Sequence, residues 1–209
     1  MKTFLAASLL IAPAALAVDL QVDPAHSTAT FAIKHMMVST VRGNFGKVSG
    51  TVSYDPKDAT RSSANIQIDP ASIDTRNEKR DTHLKSADFF DVQKCPEMTF
   101  KSRKVEKASG DKHYKVMGDL TMHCTTKPMT LDVEGLNGPV KGPQGGNLYA
   151  ATATGKINRK EFGLNWNKAL EAGGVAVGED VLLTVELELN DSPQAARKEA
   201  QAETKQQNR

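Results

Sequence analysis

The sequence predicts an all-β domain: an antiparallel β-barrel of about eight strands, with an apolar interior and one short helix. Three observations carry this. Apolar residues recur at every second position in successive stretches from Thr30 to Leu189, the period of half-buried strands. Turn-forming clusters separate these stretches. Only one segment between them reads as helix.

Taken in order, Phe31, Ile33 and His35 alternate with Thr30, Ala32 and Lys34. Val48, Gly50, Val52 and Tyr54 alternate with Ser49, Thr51 and Ser53, and Asp55-Pro56 then turns the chain. Ala64, Ile66 and Ile68 form the third set. The segment Asn77 to Leu84 is the helix, with Asp74 or Thr75 as candidate cap, and Ser86 to Phe90 suggests a second helical turn. Met98, Phe100 and Ser102 come next, then the turn Ala108-Ser109-Gly110-Asp111, then Val116, Gly118, Leu120 and Met122. Met129, Leu131 and Val133 make another strand, followed by the Gly-rich turn from Gly138-Pro139 to Gly146-Asn147. Ala151, Ala153, Gly155 and Ile157 precede the last set, Val181, Leu183, Val185, Leu187 and Leu189.

Each strand has one dry face, and there is too little helix to cover a flat sheet. Closing the sheet on itself meets the requirement; a β-sandwich meets it as well. A barrel of about eight strands is either filled by side chains or holds one small ligand. Small residues at inward positions (Gly50, Ala64, Gly118, Ala151, Ala153, Gly155) are expected to leave room on the axis.

The ends bound the compartment. Lys2, the apolar run Phe4 to Ile11 and Ala15-Leu16-Ala17 have the layout of a cleaved signal peptide over residues 1–17. The run is too short to span a bilayer, which takes about 20 residues. Export to the periplasm is expected, with residues 18–190 as the barrel domain, soluble once cleaved. Residues 191–209 are polar and read as a disordered tail. The net charge is +2, and loss of Lys2 leaves +1; this gives no basic footprint for nucleic acid.

Three stretches are more specific than a pattern. One runs from Asp23-Pro24-Ala25-His26-Ser27 through Phe31-Ala32-Ile33-Lys34-His35 to Val41-Arg42-Gly43-Asn44-Phe45. The second spans Ile73-Asp74-Thr75, Arg80-Asp81-Thr82-His83-Leu84-Lys85-Ser86-Ala87-Asp88-Phe89-Phe90-Asp91-Val92 and Pro96-Glu97-Met98-Thr99-Phe100. The third pairs Gly118-Asp119-Leu120-Thr121-Met122-His123 with the run Lys156 to Trp166. Together, from about Asp19 to Asn190, these resemble the YceI-like family of exported, polyisoprenoid-binding barrels. The resemblance implies an eight-stranded lipocalin-like barrel with a hydrophobic tunnel. It also implies a carrier or store of isoprenoid chains, such as polyprenyl lipids or quinone tails, and no enzymatic activity. Transient membrane contact and homodimers are compatible with such a carrier, although no interface is readable.

Two positions depart from that family pattern, Cys95 before Pro96 and Cys124 where Gly is usual, and both being Cys suggests a disulfide. Pairing Phe100 with Leu120 and Met98 with Met122 across the Ser109-Gly110 turn puts Cys95 opposite Thr125, one residue from Cys124 and on the other face. A bulge at Pro96 is then needed to join the sulfurs.

The candidate tunnel lining is Phe31, Ile33, Phe45, Ile66, Ile68, Phe89, Phe90, Phe100, Leu120, Phe162, Leu164 and Trp166. Core packing explains any one of them equally well. A polar head group would meet His35, Arg42, Arg80, His83 or Asn165, which donate to quinone or phosphate oxygens. For Arg80 the structural alternative is pairing beside the helix, and for His26-Ser27 it is satisfying backbone groups. Catalysis finds little support: Ser27 and His26 are adjacent, so they face opposite ways on a strand. No G-x-S-x-G elbow occurs, and Asp69, Asp74 and Asp81 lack an evident second carboxylate. His26, His35, His83, His113 and His123 have no metal-ligand spacing, so no metal and no cofactor beyond a lipid ligand is expected. The alternative function is an envelope stress or interaction protein with a packed barrel and no cargo.

Overall fold

The computed structural model describes residues 17–143, 145–171 and 173–191. The expected signal peptide and polar tail thus lie outside the described residues, apart from Ala17 and Asp191. Asp191 is not tail-like: its carboxylate accepts from the backbone N–H and side-chain amide of Asn147, both at 2.6 Å.

The strands in chain order are β1 (Val18–Val22), β2 (Thr28–His35), β3 (Ser39–Phe45), β4 (Val48–Tyr54), β5 (Ser63–Ile68) and β6 (Ile73–Asp74). After helix α1 (Glu78–Lys85) come β7 (Met98–Lys107), β8 (His113–Met122), β9 (Thr125–Lys141), β10 (Asn147–Asn158) and β11 (Val177–Asn190). All pairings between them are antiparallel. β1 and β2 lie end to end along β11 and pair on their other side with β4 and β3. β5 and β6 lie end to end against β4 and β3 in the same way. The eleven segments therefore fill eight positions, and the ladder closes where β11 meets β1 and β2. The fold is a closed antiparallel β-barrel, so the sandwich is ruled out.

Each of the eight alternating stretches occupies its own position, and its expected dry face points inward. On β11, Val181, Leu183, Val185, Leu187 and Leu189 face the interior, while exposed Leu182 and Glu186 face out. A one-residue slip would reverse every side chain, so the inward apolar set fixes register. Phe100 pairs with Leu120 and Thr99 with Thr121, the expected register, until a bulge between Ser102 and Lys104 brings Val105 inward. The outer face carries exposed ion pairs such as Lys156–Asp180 at 2.6 Å and Arg103–Asp119 at 2.5 Å. A transmembrane barrel would show the opposite arrangement, an apolar band outside.

Three local expectations need correction. The cap of α1 is Asn77, whose side chain accepts from the N–H of Arg80 at 3.0 Å. Asp74 instead caps the N–H of Arg76 and Thr75 bonds Asp81. Ser86 to Phe90 is a run of turns, not helix. The inward glycines do not leave space: a Cβ on Gly118 would sit 2.6 Å from the Phe100 ring, and one on Gly155 would sit 2.8 Å from Leu131. Gly50, at φ +130, lets β4 approach β5, since its Cβ would lie 2.1 Å from the Asn65 carbonyl oxygen.

Cys95 and Cys124 form the expected disulfide, with Cα atoms 5.4 Å apart, but by a different route. No bulge is involved, because β7 begins only at Met98 and Cys95 sits in the preceding loop. Cys124 lies with His123 in the two-residue turn between β8 and β9, where Met122 pairs with Thr125. Both turn residues have positive φ, +49 and +56, the mirror-image turn that fits the twist of a hairpin. Glycine suits that position on conformational grounds; the sulfur bond keeps cysteine there.

Candidate functional site

Inside the barrel is a cavity of about 830 Å³, near the top of the roughly 300–1,000 Å³ common for ligand sites. Its wall is built by strand parity. β2 supplies Ala29, Phe31 and Ile33, β5 supplies Ala64, Ile66 and Ile68, and β10 supplies Ala151, Ala153 and Ile157. β9 and β11 contribute Met129, Leu131, Val133, Leu183, Val185 and Leu187. Many of these are only half-buried by accessibility; their accessible surface faces the cavity.

The two ends differ. At one, Tyr54, Ser62, Ser63, Lys112 and Tyr114 line the wall, and Tyr54 meets Tyr149 edge to face at 6.0 Å. Burial first pushes both phenols above their usual range, with lesser help from Tyr114 and Asp55 at Tyr54 and from Asp191 and Tyr54 at Tyr149. At the other end α1 lines the cavity through Lys79, Arg80, His83 and Leu84. This helix buries none of its residues, so an apolar stripe does not hold it. Its anchor is Thr75: Arg80 donates from Nε to Thr75 Oγ1 and from Nη2 to the Thr75 carbonyl, both at 2.7 Å, and Asp81 accepts from the Thr75 N–H at 3.0 Å. An aromatic cluster stands beside it, with His83 4.9 Å from Trp166 and 5.0 Å from Phe89, and Phe89 5.3 Å from Trp166. The His83 ring also contacts Asp88 at 2.7 Å. Phe45 joins Phe31 at 5.7 Å to Phe90 at 5.6 Å.

Of the twelve expected lining residues, the structure places Phe31, Ile33, Phe45, Ile66, Ile68, Phe89, Phe90, Phe100, Leu120, Leu164 and Trp166 on the cavity wall. Phe162 is the exception. It is 1% exposed and packs outside the wall, in the turn that follows β10, because the short helix Arg159–Phe162 directs it away from the axis. Among the expected polar contacts, His35, Arg80 and His83 line the α1 end. Arg42 does not: it pairs with Ala32, and Val41 and Gly43 have the inward parity of that strand. Asn165 is exposed and off the wall. Ser27 satisfies backbone groups, donating to the Glu188 carbonyl at 3.3 Å and accepting from its N–H at 3.0 Å.

Sequence reasoning missed Lys34, Lys79 and Arg159 on the wall. Arg159 is 3% exposed. It donates from Nε to the Gly178 carbonyl at 2.7 Å, from Nη2 to that of Val177 at 3.4 Å, and from Nη1 to that of Leu164. Burial pushes its guanidinium below its ordinary value, against the weaker pull of Glu179. Nothing in the local sequence signals this, since burial depends on the chain between β10 and β11 folding back. His26 sits at the surface beside Asp23 and Glu188, at 3.1 and 3.6 Å. The hydrogen bond to Asp23, then the two carboxylate charges, raise its imidazole above the usual value. Among the described residues this is where three potential metal ligands lie within 4.8 Å of one another, and ion pairing accounts for it.

Residues 20–189 match the YceI-like domain. The chain belongs to the YceI-like family. A UPF0312 protein of Staphylococcus aureus (strain USA300) is 42% identical to this YceI-like protein over 171 residues, covering 81% of this chain and 96% of that one. Burkholderia cenocepacia BcnA superposes with a TM-score of 0.68 at 27% identity, over 80% of this chain and 98% of that chain. The Campylobacter jejuni YCEI protein gives 0.64 at 34% identity, over 77% and 90%. A polyisoprenoid binding domain from Saccharophagus degradans shares the fold at a TM-score of 0.60 and 16% identity, over 83% and 98%.

Proposed function

We propose that this YceI-like protein is a non-enzymatic periplasmic carrier that holds an isoprenoid-type lipid, a polyprenyl chain or the tail of a quinone, inside its barrel. The observation that carries the reading is the cavity of about 830 Å³ with an aliphatic and aromatic wall. A branched hydrocarbon chain needs length of apolar contact and few directional bonds. Each buried methylene gains about 0.8 kcal/mol, so affinity scales with the chain enclosed. The ligand class in the name of the Saccharophagus degradans domain is one this interior would accommodate. Export rests on the signal-like segment, and the Cys95–Cys124 bond supports an oxidising compartment. A packed barrel acting only through its surface accords poorly with such a cavity.

Trp166, the sole tryptophan, lines the cavity and gives a direct assay. Titrating the mature protein with a prenylated quinone is expected to quench Trp166 fluorescence saturably at one ligand per chain. The same quinone without its tail should quench weakly and without saturation. Equal quenching by both, or none by either, removes the support for a chain-binding barrel.

A further inference from the structure

We propose that the tip of the β2–β3 hairpin, Met36-Met37-Val38, is a membrane-docking point that enters the interfacial layer of an anionic lipid bilayer beside the α1 end of the cavity. The proposal rests on the carrier reading for its purpose, since a carrier exchanges cargo where its cavity meets lipid, but the surface itself is separate from the cavity. Among the described residues five large apolar side chains are exposed, and three of them are consecutive here: Met36 at 42%, Met37 at 60% and Val38 at 83%. The other two, Val140 and Leu182, stand singly on β9 and β11, which is ordinary for a protein surface. The tip follows directly on His35, which is on the cavity wall, whereas Met36, Met37 and Val38 are not.

The backbone does not explain these residues. The Val38 N–H donates to the His35 carbonyl at 3.2 Å, and the two residues between them have φ +51 and +62, the left-handed pair that a type I′ turn requires. Asn-Gly suits that turn best, and a methionine held in the left-handed region costs free energy. What methionine supplies is an unbranched, adaptable apolar side chain, suited to a fluid hydrocarbon layer. The tip is convex and most exposed at Val38, so a protein partner would need a pocket to receive it, whereas a bilayer needs none. The charge around it fits the same partner. Lys168 is joined to the tip through Ala176, whose N–H donates to the Lys168 carbonyl at 2.9 Å and whose carbonyl accepts from the Met36 N–H at 2.8 Å. Lys34 lies two residues before the tip, and Lys79 is on α1. All three lysines are exposed, and among the described residues no carboxylate lies within 4.0 Å of their ammonium groups. Two exposed acids, Glu78 on α1 and Glu171 on the loop after Lys168, offset part of this charge and leave it positive. Lysines held near an anionic bilayer are attracted to it, and the apolar tip between them supplies the anchor.

The test is flotation of the mature full-length protein with vesicles of equal parts phosphatidylethanolamine and phosphatidylglycerol, and with vesicles of phosphatidylcholine alone. The protein is expected to float with the anionic vesicles, less so at high salt, and to favour them over the neutral ones. The decisive variant is Met36→Asn/Met37→Gly/Val38→Ser, which gives the turn its preferred residues while removing the apolar tip. It should stay folded and partition at least about tenfold more weakly. Its quenching titration with a prenylated quinone should match that of the parent, because none of the three side chains lines the cavity. Failure of the parent to float with either vesicle, or flotation unchanged by the triple substitution, overturns the docking point and leaves the carrier reading standing. A dimer that the triple substitution abolishes, with no flotation of the parent, assigns the tip to a second copy of the chain and equally overturns it. Flotation that depends on the tip, in a protein that takes up no quinone, supports the docking point and removes the carrier reading instead.

Discussion

Replacing Ala151 and Ala153 together by Phe should yield a folded barrel that binds a prenylated quinone at least about tenfold more weakly. Both alanines face the cavity from β10, two residues apart. Two rings placed there occupy the space a hydrocarbon chain would take. They project into existing room, so the destabilisation should stay within the roughly 1–3 kcal/mol of ordinary overpacking. Trp166 remains the only tryptophan, so the quenching titration reads the effect directly, and thermal unfolding confirms the fold. Phe162→Ala provides the contrast. That side chain is packed outside the wall, so its loss should cost about 3–5 kcal/mol of stability. The fraction still folded should bind quinone with unchanged affinity. If the double Phe protein binds like the parent, the cavity is not where the lipid sits.

Removing the disulfide has the second large effect. Cys95 and Cys124 are 29 residues apart, and the bond joins the loop before β7 to the β8–β9 turn. Closing a loop of that length in the unfolded chain is worth about 3–4 kcal/mol. The Cys95→Ala/Cys124→Ala protein should lose about that much in chemical denaturation. Cys124→Gly paired with Cys95→Ala should recover a small part of the loss, because φ at position 124 is +56 and glycine adopts it freely. The parent protein with reductant should behave like the double Ala form. A loss below about 1 kcal/mol would mean that the loop is already fixed by its turns, such as Cys95 N–H to the Asp91 carbonyl at 2.7 Å.

The barrel was legible because its information is local and repeated. Period-two alternation marked all eight ladder positions, and the same parity names the wall residues on β9, β10 and β11. β1, β3 and β6 were harder to read. β1 and β6 are five and two residues long, and β3 is interrupted by Arg42 and Gly43. Small inward residues misled where they were glycine, since a pattern cannot distinguish a void from a spot covered by Phe100 or Leu131. Arg42 and Phe162 show the same limit from the other side: one follows strand parity outward, the other leaves the strand just before it would count. Arg159 was invisible because its burial is made by Leu164, Val177 and Gly178, which reach it only through the folded β10–β11 connection. The disulfide pair was readable as a pair, but its geometry belongs to a loop and a turn rather than to a strand register.

The central claim is that the barrel holds an isoprenoid lipid, and the most direct measurement is mass spectrometry of the lipid it carries. The protein would be purified from its own cells without detergent, extracted with organic solvent, and the extract quantified against protein. The account predicts an isoprenoid species at close to one per chain, absent from extracts of the Ala151→Phe/Ala153→Phe protein prepared alongside. Complete extraction that yields no isoprenoid, from a protein that also fails to take up added prenyl lipid, would contradict it.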